Sequence, residues 1–147
     1  MKAPRLLLIL VALAGFSLSS AQAEPTWHSD FAKAQAAAKA DHKLLLLDFT
    51  GSDWCIWCKK LEAEVFSKPE FQKYAADHLV LMTVDFPRAK PLAAAVRKQN
   101  QELAEKYGIE GFPTIIVLNS AGKQVGELGY EEGGASVFLT ELKKLAP

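Results

Sequence analysis

The two cysteines of this 147-residue chain, Cys55 and Cys58, are separated by two residues, a spacing that could support redox chemistry. A continuous apolar run over 44–49 precedes them, and apolar residues at helical spacing follow them. We therefore expect Cys55 at the N-terminus of a helix and Cys58 one turn further in. Unpaired backbone N–H groups and the helix dipole favour an anion there. This predicts an exposed, reactive thiolate at Cys55, with Cys58 close enough to resolve a mixed disulfide.

Two other roles for the cysteine pair are a structural disulfide and part of a metal site. A disulfide that closes so short a loop stabilises a fold by only about 2 kcal/mol. A zinc site needs four ligands, and the three histidines are scattered over the chain without ligand spacing. The composition therefore favours a redox dithiol, with the structural disulfide as the main alternative and no metal expected.

The N-terminus has the three parts of a secretory signal peptide. Residues 1–5 carry two positive charges, residues 6–18 form an apolar run, and Ala21 and Ala23 are small residues at the cleavage positions. A membrane anchor is the alternative, but a span needs about 20 apolar residues. We expect residues 1–23 to be a signal peptide cleaved after Ala23, which leaves residues 24–147 in the periplasm or secreted, where disulfides persist.

Composition predicts a single globular domain with little preference for polyanions. Half of the residues are apolar, which is enough for a substantial core. Loss of Lys2 and Arg5 with the signal reduces the 17 basic side chains to 15 against 17 acidic ones, a formal charge of −2. We expect no nucleic-acid partner, no membrane span after signal cleavage, and a monomer.

The hydrophobic pattern predicts an alternation of helices and strands. A helix begins after Ser29 or Asp30, and a last helix follows Gly134. Between them the pattern predicts four strands and the intervening helices, with strands at 44–49, 79–85, 111–118 and 123–129. The alternating part requires parallel strands, and the last two strands form a hairpin. The expected class is α/β, a three-layer fold whose central mixed sheet of about four strands has helices on both faces.

Two motifs in this order resemble those of the thioredoxin superfamily. The first is residues 47–49 leading into Trp-Cys-Ile-Trp-Cys-Lys at 54–59, and the second is Tyr-Gly-Ile-Glu-Gly-Phe-Pro-Thr at 107–114. The resemblance extends over about residues 30–145. Residues 51–55 and 62–66 are most similar to small exported thioredoxin-like proteins related to the C-terminal domain of the periplasmic electron-relay reductase.

The resemblance implies a role for five residues. Cys55 would attack a partner disulfide, and Cys58 would resolve the mixed disulfide. Asp48 matches the buried acid that assists proton removal from the inner cysteine, although an ordinary acid at the end of a strand is the alternative. Pro113 matches a cis proline that faces the cysteines, and the backbone of Phe112 would pair with an extended substrate segment.

The residues around the cysteines bear on partner choice and on the direction of electron flow. Trp54 and Trp57 offer apolar contact area for a polypeptide, or alternatively shield the site. Residues 86–100 form a longer segment than in thioredoxin, which either shapes partner choice or is a solvated connector. Ile56 and Trp57 replace the histidine-containing pair of strong oxidants, which favours reduction or isomerisation over oxidation.

We therefore expect an exported thiol–disulfide oxidoreductase that acts on cysteine-containing exported proteins, needs no cofactor and is served by a separate redox partner. A chaperone or binding module with a passive disulfide is the alternative from another class. A peroxide-reducing enzyme is disfavoured, because no threonine or arginine adjoins Cys55.

Overall fold

The computed structural model describes residues 24–146, so the predicted signal peptide at 1–23 lies outside the described residues. The described part contains five strands and five α-helices. The strands are β1 (Trp27–His28), β2 (Leu44–Thr50), β3 (Leu79–Asp85), β4 (Thr114–Leu118) and β5 (Gln124–Leu128). The helices are α1 (Phe31–Asp41), α2 (Ile56–Leu61), α3 (Pro69–His78), α4 (Ala94–Tyr107) and α5 (Gly134–Lys143). A π-helical turn (Glu62–Phe66) continues α2.

The strands form one mixed sheet in the order β1-β3-β2-β4-β5. β2 runs parallel to β3 and antiparallel to β4, and β4 and β5 form the terminal hairpin. The predicted α/β class and mixed sheet are confirmed. The two-residue strand β1 extends the sheet beyond β3, because Trp27 and His28 pair with Leu81 and Met82.

β2 is the central strand, and all seven of its residues are buried. Because side chains alternate between the two faces of a strand, Leu44 and Leu46 pack in one hydrophobic cluster, and Leu45 and Leu47 pack in another. The first cluster includes residues of α3, α5 and the π-helical turn. The second includes residues of α1 and α4. The helices therefore cover both faces of the sheet, as the three-layer prediction expects.

The parallel pairing of β2 with β3 determines which loops meet at the carboxyl end of these strands. Thr50, the last residue of β2, is in register with Asp85, the last residue of β3. The loop that leads to the cysteines and the loop that follows β3 therefore leave the sheet at the same end. Within residues 24–146, no helix is both long enough and apolar enough to cross a membrane.

Candidate active site

Cys55 and Cys58 form a disulfide at the start of α2, with their Cα atoms 5.3 Å apart. Cys55 is the N-cap residue of this helix, and its backbone is extended (φ −80°, ψ 110°). The backbone N–H of Cys58 donates a hydrogen bond to the Cys55 sulfur, with an N···S distance of 3.2 Å. A thiolate on Cys55 would be stabilised by this N–H group and by the helix dipole. The structure therefore places Cys55 where the sequence predicts it.

The expected exposure of Cys55 is wrong for the disulfide form. Cys55 is 5% exposed and Cys58 is 6% exposed, so neither sulfur presents much area to solvent. Each sulfur faces the other across the bond, and the Cys55 sulfur also faces the N–H of Cys58, so these contacts cover part of each side chain. The accessible surface beside the disulfide belongs instead to Ile56 and Trp57, which are 69% and 50% exposed.

Asp48 lies on the face of β2 that carries Leu44 and Leu46, the same face that α2 covers. Asp48 and Cys58 line one cavity of about 540 Å³, which extends between the sheet and the helix and is also lined by Thr83 of β3. One oxygen of Asp48, Oδ1, is buried without a hydrogen-bond partner. The structure therefore brings the predicted acid and the inner cysteine to the same cavity.

The environment of Asp48 favours its neutral, protonated form. Burial raises the pKa of this carboxyl from 3.8 to about 8, and the negative charges of Glu62 and Asp85 add to the shift. A carboxyl with a pKa near 8 is able to exchange protons with a thiol at neutral or mildly alkaline pH. These properties match the proton-transfer role that the resemblance implies for Asp48.

Glu62 is a second acid at this cavity, and it is not among the site residues predicted from the sequence. It lines the cavity together with Asp48 and Cys58. Partial desolvation raises the pKa of the Glu62 carboxyl. Glu62 follows Cys58 by four residues, and positions four apart share one face of a helix, so helical spacing was the signal that could have found it.

Trp54, immediately before the disulfide, is held by the loop that follows β3. Its indole Nε1–H donates a hydrogen bond of 2.9 Å to the carbonyl oxygen of Phe86. Its ring meets the Phe112 ring edge-on at 5.9 Å between centroids, and Phe86 and Phe112 pack on each other at 5.2 Å. The guanidinium of Arg88 lies over the indole, 3.7 Å from the ring centroid. These contacts bring together Trp54 and Phe112, two of the site residues predicted from the sequence.

Gly51 leaves the space that the Trp54 ring occupies, and this gives a testable prediction. A Cβ atom at position 51 would overlap the indole ring atoms. We expect Gly51→Ala to displace Trp54, to lower the free energy of unfolding by about 1–3 kcal/mol, and to slow disulfide exchange. Chemical denaturation and a disulfide-reduction assay would measure the two effects.

Gly111→Ala is the matched control, because a Cβ atom at Gly111 meets no atom within 4 Å. We expect the control to keep the stability of the wild-type protein within about 0.5 kcal/mol. If Gly51→Ala behaved like the control, Trp54 would not be held as tightly as these contacts imply.

Trp57 lies in a second cluster on another side of the disulfide. Its ring packs against the Tyr130 ring at 5.4 Å, and the ammonium group of Lys60 lies over both rings, 5.1 and 5.6 Å from their centroids. The Tyr130 hydroxyl donates a hydrogen bond of 2.7 Å to Glu64, which raises the pKa of Tyr130. These contacts orient Trp57 while leaving half of it exposed, so the side chain presents a fixed apolar surface.

The peptide bond between Phe112 and Pro113 is cis, and β4 begins at the next residue, Thr114. Phe49 of β2 is in register with Thr114, so this turn lies at the end of the sheet from which the cysteine loop leaves. The Phe112 ring reaches Trp54, as described above. All seven residues that the sequence analysis selected therefore lie at one end of the sheet, with Asp48 buried beneath the surface that the others form.

Comparison with known proteins agrees with this geometry. A family model described as a thioredoxin-like domain matches residues 31–146. The disulfide bond reductase DsbH of Chlamydia pneumoniae is 38% identical over 123 residues, which cover 84% of this chain and 74% of that protein.

Solved structures give the same result. A structure of DsbH oxidoreductase superposes with a TM-score of 0.79 at 36% identity, covering 84% of this chain and 85% of that one. The oxidised C-terminal domain of DsbD from Neisseria meningitidis has a TM-score of 0.59 at 25% identity, covering 82% of this chain and all of that domain. The resemblance inferred from the two motifs is confirmed, and this chain belongs to the thioredoxin-like domain family.

Proposed function

We propose that the protein reduces or isomerises disulfide bonds of other exported proteins through the Cys55–Cys58 dithiol. It is a thiol–disulfide oxidoreductase, in keeping with its family and with the names of its relatives, disulfide bond reductase and oxidoreductase. The observation that carries the proposal is the N-cap position of Cys55, whose sulfur accepts the N–H of Cys58. A sulfur held in this way is suited to act as a nucleophilic thiolate.

The reaction proceeds in two exchange steps. In the first step, the Cys55 thiolate attacks one sulfur of a partner disulfide, forms a mixed disulfide and expels the other partner sulfur as a thiolate. In the second step, the Cys58 thiolate attacks the Cys55 sulfur and expels the remaining partner sulfur. The partner gains two electrons, while the dithiol loses two and becomes the Cys55–Cys58 disulfide. A separate redox partner must then reduce this disulfide before another turnover.

Asp48 moves the proton that accompanies the second step. Cys58 must lose its proton to become a nucleophile, and the ionised form of Asp48 accepts that proton across the cavity that both residues line. In the reverse direction, protonated Asp48 returns the proton to the Cys58 sulfur. The raised pKa of Asp48, about 8, makes both forms accessible near neutral pH.

Four residues form the surface that receives the partner. The backbone of Phe112, beside Pro113, pairs with an extended segment of the partner by strand addition. Trp54 and Trp57 supply apolar contact on the two sides of the disulfide, where ring contacts and hydrogen bonds orient them. Fixed aromatic surfaces bind without much loss of side-chain freedom, which suits a site that acts on different polypeptides.

The protein acts after export, as a periplasmic or secreted monomer. The charged start, apolar run and small residues at Ala21 and Ala23 support cleavage after Ala23, and the mature domain is then residues 24–147. N-terminal sequencing of the exported protein is expected to begin at Glu24, and a mature chain that retained Met1 would contradict cleavage.

Equilibration with glutathione buffers tests the proposed direction of electron flow. Since residues 56 and 57 lack the histidine associated with strong oxidants, we expect a reduction potential more negative than roughly −180 mV. Strong oxidants of this fold lie near about −120 mV, so a value in that range would contradict a reductase or isomerase. A pair that does not exchange with glutathione at all would contradict the oxidoreductase itself.

A further inference from the structure

We propose that Arg88 is a specificity residue that binds an acidic side chain of the partner polypeptide near the cysteine under attack. The inference rests on the proposed function, because it concerns the polypeptide that Cys55 attacks. Arg88 belongs to the segment after β3, and the guanidinium lies 3.7 Å from the centroid of the Trp54 ring. Trp54 immediately precedes Cys55, so the cation lies over the side chain next to the attacking cysteine in the chain.

The backbone at Arg88 is held in place by Asp53. The Asp53 carboxylate accepts hydrogen bonds from the N–H of Arg88 at 3.0 Å and from the N–H of Ala89 at 2.7 Å. These two bonds lower the pKa of Asp53, so the acid remains ionised and its oxygens remain engaged. Asp53 therefore holds the backbone of this segment and forms no ion pair with the guanidinium of Arg88.

Further hydrogen bonds tie the same segment to the loop before the cysteines. The carboxylate of Asp85 accepts the N–H of Ser52 at 2.9 Å and its hydroxyl at 2.6 Å. The N–H of Phe86 donates to the carbonyl oxygen of Thr50 at 2.8 Å. The segment that carries Arg88 is thus fixed to the loop that precedes Cys55, so the start of the longer connector has a defined position against that loop.

The guanidinium of Arg88 has unused hydrogen-bond donors. Within residues 24–146, no carboxylate forms an ion pair with it and no oxygen accepts a hydrogen bond from it. A guanidinium carries five N–H donors in a planar fork that fits a carboxylate in a bidentate manner. Stacking on Trp54 restricts the plane of this fork, so less freedom is lost when a carboxylate binds.

The two lysines that follow Cys58 each make a contact within the domain. The ammonium group of Lys59 donates to the carbonyl oxygen of Asp53 at 3.1 Å, and that of Lys60 lies over the rings of Trp57 and Tyr130. Arg88 combines an exposed side chain with a planar fork of donors that accepts a carboxylate in a bidentate manner, which the point charge of a lysine does not offer. The occupant is therefore an aspartate or glutamate side chain of the bound polypeptide segment.

A paired set of peptide substrates tests this inference. Disulfide-linked peptides would carry glutamate at each position within about three residues of the cysteine, and each would have a twin with glutamine at that position. The wild-type protein, kept reduced by dithiothreitol, is expected to show a KM about 5- to 10-fold lower for the best glutamate peptide than for its twin. Its kcat should be the same for both.

Three variants separate recognition from a structural role of Arg88. Arg88→Gln should bring the KM values of the two twins to within about twofold of each other, whereas Arg88→Lys should keep part of the preference. Lys106→Gln is the matched control, because Lys106 also lies over aromatic rings, those of Phe31 and Tyr107, but belongs to α4. This control should keep the full preference.

Two results would overturn the inference without affecting the proposed function. One is equal KM values for both members of every pair in the wild-type protein. The other is an Arg88→Gln variant that slows both twins equally, since this would mean that Arg88 only supports Trp54. Failure to reduce any peptide would overturn the inference and the proposed function together.

Discussion

Cys58→Ala is expected to accumulate a covalent one-to-one adduct with a partner polypeptide, linked through Cys55. The first exchange step needs only the Cys55 sulfur, whereas release of the partner needs Cys58 to attack the resulting mixed disulfide. The structure supports this division, because Cys55 caps the helix and the Cys58 N–H points at its sulfur. Non-reducing electrophoresis and mass spectrometry of the adduct would identify the linked cysteine.

Variants that lack Cys55 test the roles assigned to the two sulfurs. Cys55→Ala should form no adduct and should reduce a model disulfide no faster than dithiothreitol alone. Adducts linked through Cys58 would reverse the assigned roles of the two sulfurs. A Cys55→Ala, Cys58→Ala double variant that kept full biological activity would show that the protein acts as a binding module in which the disulfide is passive.

Asp48→Asn is expected to stabilise the protein and to slow its chemistry. Asparagine has nearly the same shape as aspartate but cannot ionise. The pKa of Asp48 is about 8 in the folded protein against an ordinary value of 3.8, so between these pH values the folded state retains a proton that the unfolded state releases. The contribution of Asp48 to stability therefore falls as the pH rises through this window.

The asparagine variant should lack this loss of stability. We expect its free energy of unfolding to exceed that of the wild-type protein by roughly 2–4 kcal/mol at pH 8 and to match it near pH 4. Asp41→Asn is the control, because Asp41 is exposed, and its effect should stay within about 0.5 kcal/mol. If the difference in stability between the variant and the wild-type protein did not grow between pH 4 and pH 8, the raised pKa would be contradicted.

Asp48→Asn should slow the reaction, although it should stabilise the fold. Without the carboxylate, release of the partner from the mixed disulfide should slow about 100-fold, which is the lower end of what positioned proton transfer contributes. The wild-type rate of this step should rise with pH through about 8, as Asp48 becomes able to accept the proton. Quenched-flow trapping of the mixed disulfide would measure the rate, and an unchanged rate in the variant would exclude Asp48 as the base.

The local pattern of the sequence was sufficient to predict much of the site. A buried strand followed by a helix places Cys55 at the cap, and the apolar run over 44–49 predicts that Asp48 enters a buried sheet. The resemblance implies the cis proline at Pro113, whereas the strand predicted over 111–118 begins only at Thr114. These features depend on neighbours in the chain or on period-two and helical spacing, which a sequence displays directly.

Contacts between distant loops could not be predicted in the same way. Arg88 meets Trp54, and Tyr130 meets Trp57, only because β2, β3 and β5 bring their following loops to one end of the domain. No spacing in the chain specifies which side chains then meet. The burial of Cys55 likewise arises only in the folded domain, and no local spacing in the sequence displays it.

The reactivity of the Cys55 sulfur as a function of pH tests the central claim most directly. In the Cys58→Ala variant, the rate of alkylation by iodoacetamide reports the fraction of Cys55 that is ionised. We predict a half-maximal rate at a pH at least about one unit below the value of about 8.5 for a free cysteine. A titration that follows free cysteine would contradict the claim that the start of α2 activates this sulfur.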